Sequence, residues 1–205
     1  MKTLIIAPHP DDELLGCFSK ILHHGDILTV VYISSGKPDE ILIREKSVID
    51  IMDSLEIIPV RQIFLRKDDS FVEDEQQLIK DIQKLIDKEK PDEILFSHEE
   101  FCHSLHDQIY NVMFKIRTDA ILITYTVYGY WSFGKFLGEV MNKFTVPFGW
   151  LFGYHPRFEN KPYMTYNFTK EEAEKKLKAL QQYREVMGEP TKRIIKYKEE
   201  NFRYV

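Results

Sequence analysis

A chain of 205 residues, 43% hydrophobic and 30% charged, is ordinary in composition for a globular protein and long enough to bury a full core as one domain over 1–205. Its formal net charge of −5 and lack of a basic tract exclude a nucleic-acid-binding surface. Two cysteines outside any CxxC pair exclude a disulfide framework and fit a reducing cytoplasm.

The amino terminus runs from one lysine straight into a strand-like stretch, without a signal-type apolar block, so Met1 reads as the natural start. Apolar runs then alternate with helical patterns. Strands are expected at about 3–7, 27–34 (ILTVVYIS), 61–65 (RQIFL), 93–97 (EILFS) and 120–128 (AILITYTVY), and helices at about 13–24, 39–55, 74–89 and 105–117. In the third helix Leu78, Ile82, Leu85 and Ile86 recur at helical spacing, and Pro91 follows its end. Strict alternation with strands this apolar predicts an α/β fold, a Rossmann-like, mostly parallel sheet of about five strands or more flanked by helices.

Residues 1–128 form this core, and 129–205 read as an aromatic-rich C-terminal cap and a C-terminal helix. The stretch 129–168 holds both tryptophans, and its aromatics suit core packing, stacking on a sugar ring or a self-association surface that makes a homo-oligomer. Its most apolar part, FTVPFGWLFGY (144–154), contains proline and two glycines and falls short of the roughly 20 residues of a spanning helix, so no stable membrane insertion is expected. The last helix opens at Thr169 with glutamate at the third following position, a capping box, and closes at Gly188.

Titratable chemistry collects where the sheet topology would bring ligands. In doubly wound sheets, ligands bind beyond the carboxyl ends of the strands, where strand order reverses. His9, Asp11, Asp12 and Glu13 follow the first strand in HPDDE. With the fourth strand beside the first, they would face HEEFCHSLHD, which carries His98, His103 and His106. A histidine and an aspartate three residues apart, with one histidine from another loop, make a three-ligand N/O set with an open position. His9, Asp12 and His106 are the candidates. Asp11 would then take a proton from the nucleophilic water, and His103 would support the oxyanion or the leaving group. The same carboxylates would also serve as caps of the following helix, and the histidines as surface residues. Cys17 and Cys102 read as small buried residues, and His23 and His24 as cations at a helix end. A nucleotide-cofactor site is disfavoured, because HPDDE stands where a glycine-rich phosphate loop is needed.

The segment APHPDDELLGC (7–17) resembles the signature of the LmbE/PIG-L family of zinc-dependent deacetylases of N-acetylglucosamine-type groups, and HSLH (103–106) corresponds to its second motif. The similarity extends over most of the chain, weakly through the cap, and resumes at FTKEEAEKKLKALQQY and ENFR. The resemblance implies zinc on His9, Asp12 and His106, with iron or another divalent ion able to use the same ligands. It further implies Asp11 as general base, His103 as the oxyanion-stabilising or proton-donating residue, and a small-molecule N-acetylated sugar or sugar conjugate as substrate. Two positions depart from the pattern. Leu105 replaces the acidic or amide residue that orients the histidine matching His103, with Glu100 or Asp107 as substitutes. In the second helix Arg44 matches a substrate-binding arginine, or is simply solvated, while Ser47 stands at the position of a glutamate. Asp69 matches a family aspartate, or serves as a turn residue. The rivals to a deacetylase are an amidase acting on another sugar or a thiol conjugate and a metal-dependent sugar-binding protein without turnover.

Overall fold

The computed structural model describes residues 1–23, 27–55, 60–68, 72–99, 104–127, 164–187 and 199–205. Five parallel strands form the body of the sheet: β1 (Lys2–Ala7), β2 (Ile27–Ser34), β3 (Arg61–Lys67), β4 (Glu93–Ser97) and β5 (Ile121–Tyr125). The helices between them are α1 (Asp12–Gly16), α2 (Phe18–His23), α3 (Ile41–Ser54), α4 (Glu75–Glu89) and α5 (Ser104–Met113). After these come β6 (Met164–Asn167), α6 (Lys170–Val186) and β7 (Glu199–Tyr204), which gives the sheet order β3-β2-β1-β4-β5-β7-β6. This is the α/β architecture expected from the alternation of elements.

The pleat divides each central strand between two cores. Ile5, Ala7, Val30, Tyr32, Leu95 and Ile123 face Leu14, Phe18, Val48, Ile51 and Leu180 of α1, α2, α3 and α6. Leu4, Ile6, Val31, Ile33, Ile94 and Phe96 face Leu78, Ile82, Ile86, Ile109 and Val112 of α4 and α5. Covered on both faces, β1 sits at the centre, where burial of each Leu or Ile side chain contributes roughly 1.5–3 kcal/mol.

Three local expectations change. The helix expected over 13–24 is two short helices broken at Cys17, because Glu200 of β7 accepts the backbone N–H groups of Phe18 at 2.6 Å and Ser19 at 3.0 Å and so starts α2 afresh. Lys176 of α6 pairs with the same carboxylate at 2.7 Å and donates to the Leu15 carbonyl at 2.7 Å, which leaves this buried charge pair satisfied. The helix expected to reach 117 ends at Met113, where Lys115 and Ile116 donate to the Val112 and Met113 carbonyls in three-residue turns. Finally, the segment read as cap and helix supplies two strands to the sheet itself: β7 pairs antiparallel with β5, and β6 with β7. Residues 128–163, with both tryptophans, and Gly188 lie outside the described residues.

The capping box forms as read. Thr169 Oγ1 accepts the Glu172 N–H at 3.3 Å, and Glu172 Oε2 accepts the Thr169 N–H at 2.8 Å. The Thr169 backbone N–H, joined by the Thr169 hydroxyl, His23 and Tyr166, draws the Glu172 carboxyl down to about 2 from its ordinary 4.5. A carboxyl depressed on folding adds stability above its unfolded pKa, and that stability is lost as pH falls through the folded value. Glu172→Gln should therefore flatten the loss of stability between about pH 4.5 and 2, and Thr169→Ala should cost about 1 kcal/mol at neutral pH. Chemical denaturation across pH checks both. Identical acid profiles for wild type and Glu172→Gln would contradict the assignment.

Candidate active site

The site grows from the carboxyl end of β1. Parallel registry sets Ile6 opposite Phe96 of β4, so the turn after Ala7 emerges beside the connection from β4 to α5. The Ser34 N–H donates to the Pro8 carbonyl at 2.9 Å and fixes that turn against β2. α1 then lies close against β5: a Cβ at Gly16 would collide with the Tyr125 ring and stand 3.1 Å from the Thr126 carbonyl.

These constraints deliver His9 and Asp12 to α5. The Asp12 Oδ2 accepts the His9 backbone N–H at 2.8 Å and lies 3.3 Å from His9 Nδ1 and 3.2 Å from His106 Nε2. The two imidazole rings stand 5.4 Å apart. All three residues are buried, Asp12 and His106 completely. Burial by itself would raise the Asp12 carboxyl, but the charge of His106 and the contacts of His106 and His9 outweigh it and hold the group well below the usual carboxylate range.

This donor set fits a divalent cation. One ligand atom from each residue lies within 4.8 Å of the others. Ligands held at ~2.0–2.1 Å in a tetrahedral shell stand about 3.3–3.5 Å apart, close to the separations from Asp12 Oδ2. Asp12 Oδ1 is buried without a hydrogen-bond partner among the described residues, a costly state for a carboxylate oxygen that a cation would relieve.

Asp11, adjacent in sequence, is half-buried and carries an unusual backbone, φ 129° and ψ −21°. Such a conformation costs a non-glycine residue roughly 1–3 kcal/mol and collects at functional sites. Asp11 makes no side-chain cap bond to α1; its backbone N–H donates to Glu13 Oε2 at 3.1 Å. Glu13, fully buried, also accepts the Tyr32 hydroxyl at 3.0 Å. Burial pushes its carboxyl up to about 8, although the Asp11 N–H pulls the other way. It is therefore neutral near pH 7 and braces the Asp11 backbone without adding a charge.

The remaining candidates divide. Arg44 lies on α3, ion-paired with Glu40 at 2.9 Å, its side chain 18% exposed. It lies across the loop after β2: a Cβ at Gly36, whose φ is 88°, would stand 2.6 Å from Arg44 Nε. The neighbouring Glu45 is buried and accepts from Ser35 Oγ and, in a two-pronged pair, from Arg66, while Ser47 Oγ donates to the Ile43 carbonyl. His98 does not join the ligand set; its ring stacks on Tyr110 at 5.1 Å. Leu105 is buried among the apolar residues of α4 and α5, so it has no part in orienting a histidine. Cys17 is buried too, and burial pushes its thiol well above the usual range, which keeps it protonated. His103, Glu100, Asp69, Cys102 and His24 lie outside the described residues.

Two buried polar residues near these elements were not singled out by sequence. Glu13 was visible as one of the carboxylates of HPDDE, but nothing local showed that it would stay protonated. Tyr183 of α6 is buried with its hydroxyl unpartnered among the described residues. Its only signal was position, three residues after Leu180 and seven after Lys176 on the buried face of the helix.

The fold recurs in solved structures. A zinc-inhibited form of teicoplanin deacetylase matches with a TM-score of 0.72 at 14% identity, covering 100% of this chain and 97% of that one. N,N'-diacetylchitobiose deacetylase from Pyrococcus horikoshii matches at 0.63 and 19% identity, covering 100% and 83%. GalB, the 4-carboxy-2-hydroxymuconate hydratase of Pseudomonas putida, matches at 0.64 and 12% identity, covering 100% and 96%. No curated protein matches the chain by sequence. A family model does: residues 4–116, more than half of the chain and inclusive of His9, Asp12 and His106, match PIG-L, the GlcNAc-PI de-N-acetylase family, to which this protein belongs.

Proposed function

We propose that the protein is a zinc-dependent hydrolase that removes the N-acetyl group from an N-acetylglucosamine-type amino sugar or its conjugate. The observation that carries this reading is the meeting of His9, Asp12 and His106 from segments almost a hundred residues apart, with one Asp12 oxygen left without a hydrogen-bond partner among the described residues. Family membership narrows the chemistry to amide hydrolysis on an amino sugar. The fold alone would not, since a hydratase shares it.

A divalent ion held by these three residues supplies Lewis acidity toward the amide carbonyl and lowers the pKa of a nearby water toward neutrality. The chain's own groups do the rest. Asp11, held by a strained backbone next to Asp12, takes a proton as water adds to the acetyl carbon. His103, in its protonated form, stabilises the developing oxyanion, and the nitrogen leaves as the amine once it has gained a proton. The C–N bond breaks, and the products are acetate and the free amino sugar. Arg44, partly exposed beside the loop after β2, contacts the sugar or its aglycone. Leu105 stands where the family carries the residue that orients the histidine matching His103; Glu100 or Asp107, the latter in the first turn of α5, would take that part.

Zinc is the proposed metal, with iron(II) as the competitor for the same ligands. A reducing, cytoplasmic setting suits the two cysteines; among the described residues no helix is long and apolar enough to cross a membrane.

Acetate release from N-acetylglucosamine and its nucleotide-linked and lipid-linked derivatives is the test of activity. The purified protein should release acetate from at least one, lose that activity when stripped by a chelator, and regain it with one equivalent of zinc. Failure to release acetate from all of them in the zinc-loaded state would contradict the reading. Asp11→Asn should retain metal by elemental analysis while turnover falls about 10²–10⁴-fold, and retained turnover would remove Asp11 from its role as base. Asp11→Gly should be inactive yet raise the midpoint of thermal unfolding, because glycine accepts φ 129° without the roughly 1–3 kcal/mol that aspartate bears there. A lowered midpoint would show that the Asp11 side chain stabilises the fold.

A further inference from the structure

The buried face of α6 carries two polar groups, and only one finds a partner among the described residues. Lys176 is held by Glu200 and the Leu15 carbonyl. Tyr183, 3% exposed, has a buried hydroxyl with no hydrogen-bond partner among the described residues. Buried hydroxyls in folded proteins nearly always find a partner, and the other fully buried tyrosines here do so: Tyr32 at Glu13 and Tyr125 at the Ile6 carbonyl, both 3.0 Å.

Its surroundings belong to the site. α6 packs on α3, which carries Arg44, and on α1, which carries Asp12 and Glu13. The groups that act on the phenol are, first, the Asp11 carboxylate, then the Arg44 guanidinium, with the Glu13 and Asp12 carboxyls behind them. Asp11 and Arg44, on the loop before α1 and on α3, are both half-buried. Burial, with the Asp11 charge, pushes the phenol far above its ordinary range, so the group keeps its proton and is a hydrogen-bond donor. A neutral donor flanked by one carboxylate and one guanidinium suits the hydroxyls of a sugar, which both donate and accept.

We propose that Tyr183 is a substrate-positioning residue whose hydroxyl donates a hydrogen bond to an oxygen of the bound amino sugar. This rests on the deacetylase reading above, and it assigns to the C-terminal helix a part in choosing the sugar. A site built to hydrogen-bond a substrate hydroxyl discriminates strongly against an analogue lacking it.

Tyr183→Phe removes one oxygen and keeps the shape. It should fold with an unchanged or higher melting midpoint and bind zinc as the wild type does. KM for N-acetylglucosamine should rise about tenfold while kcat changes less than twofold. Against the 3-, 4- and 6-deoxy analogues, the wild type should penalise one position by a similar factor, and Tyr183→Phe should lose that penalty. Unchanged KM with an unchanged pattern across the analogues would overturn the proposal. Should the wild type release acetate from none of these sugars, the deacetylase reading fails separately, and calorimetric binding of the same sugars decides: weaker binding by Tyr183→Phe supports the contact, while equal binding, or none by either protein, overturns it.

Discussion

A carboxylate without solvent exposure, gripped through one oxygen by two imidazoles, is the constraint on which the rest of the molecule depends. Taking an ion of this size out of water costs several kcal/mol unless opposite charge and hydrogen bonds replace the lost solvent. Asp12 meets partners it could not reach in a different topology: the His9 backbone N–H and ring through the turn after β1, and the His106 ring through the helix that follows β4. The pairing of β1 with β4 is therefore as much a part of this cluster as its three side chains are. The second Asp12 oxygen is buried with no hydrogen-bond partner among the described residues, which leaves room in this donor set for a cation.

Rigidity around this carboxylate explains several features that would otherwise look wasteful. The Asp11 backbone is held in a conformation it disfavours, and Glu13 supports it by accepting its N–H while staying neutral. Tyr32, within the sheet, fixes Glu13 in turn. On the neighbouring helix, Glu45 ties α3 to the ends of β2 and β3 through Ser35 and Arg66, and thereby holds the helix that presents Arg44. Such shells are what keep reacting groups within the fractions of an ångström that catalysis demands. The placement of Asp11 and Arg44 is thus a property of the sheet edge and not of a loop alone.

Much of this was legible in the sequence, for identifiable reasons. The apolar runs of β1, β2, β3 and β4 are short, bounded and flanked by helical periodicity, so their order followed from handedness and alternation. From that order came the meeting of His9 and Asp12 with His106. The capping box at Thr169 is a purely local device and formed where its four residues stand. What stayed hidden depends on distant partners. The break at Cys17 is set by Glu200, more than 180 residues away in sequence, and β6 and β7 are short strands whose pairing with β5 is a property of the folded edge. His98 belongs to the histidine-rich loop that sequence brings to the site, yet its ring stacks on Tyr110. Leu105 stood out as a motif departure, and its burial among Ile109, Val112 and the α4 residues supplies the physical reason for an apolar side chain there.

The central claim is that one ion binds at the junction of the β1 turn and α5. Anomalous diffraction at the zinc edge from crystals of the zinc-loaded protein tests it directly. A single strong peak about 2.0–2.2 Å from a ring nitrogen of His9, a carboxylate oxygen of Asp12 and a ring nitrogen of His106 is the predicted result. Stoichiometric zinc that gives a peak elsewhere, with Asp12 still bonded only to the two imidazoles and the His9 backbone, would contradict it.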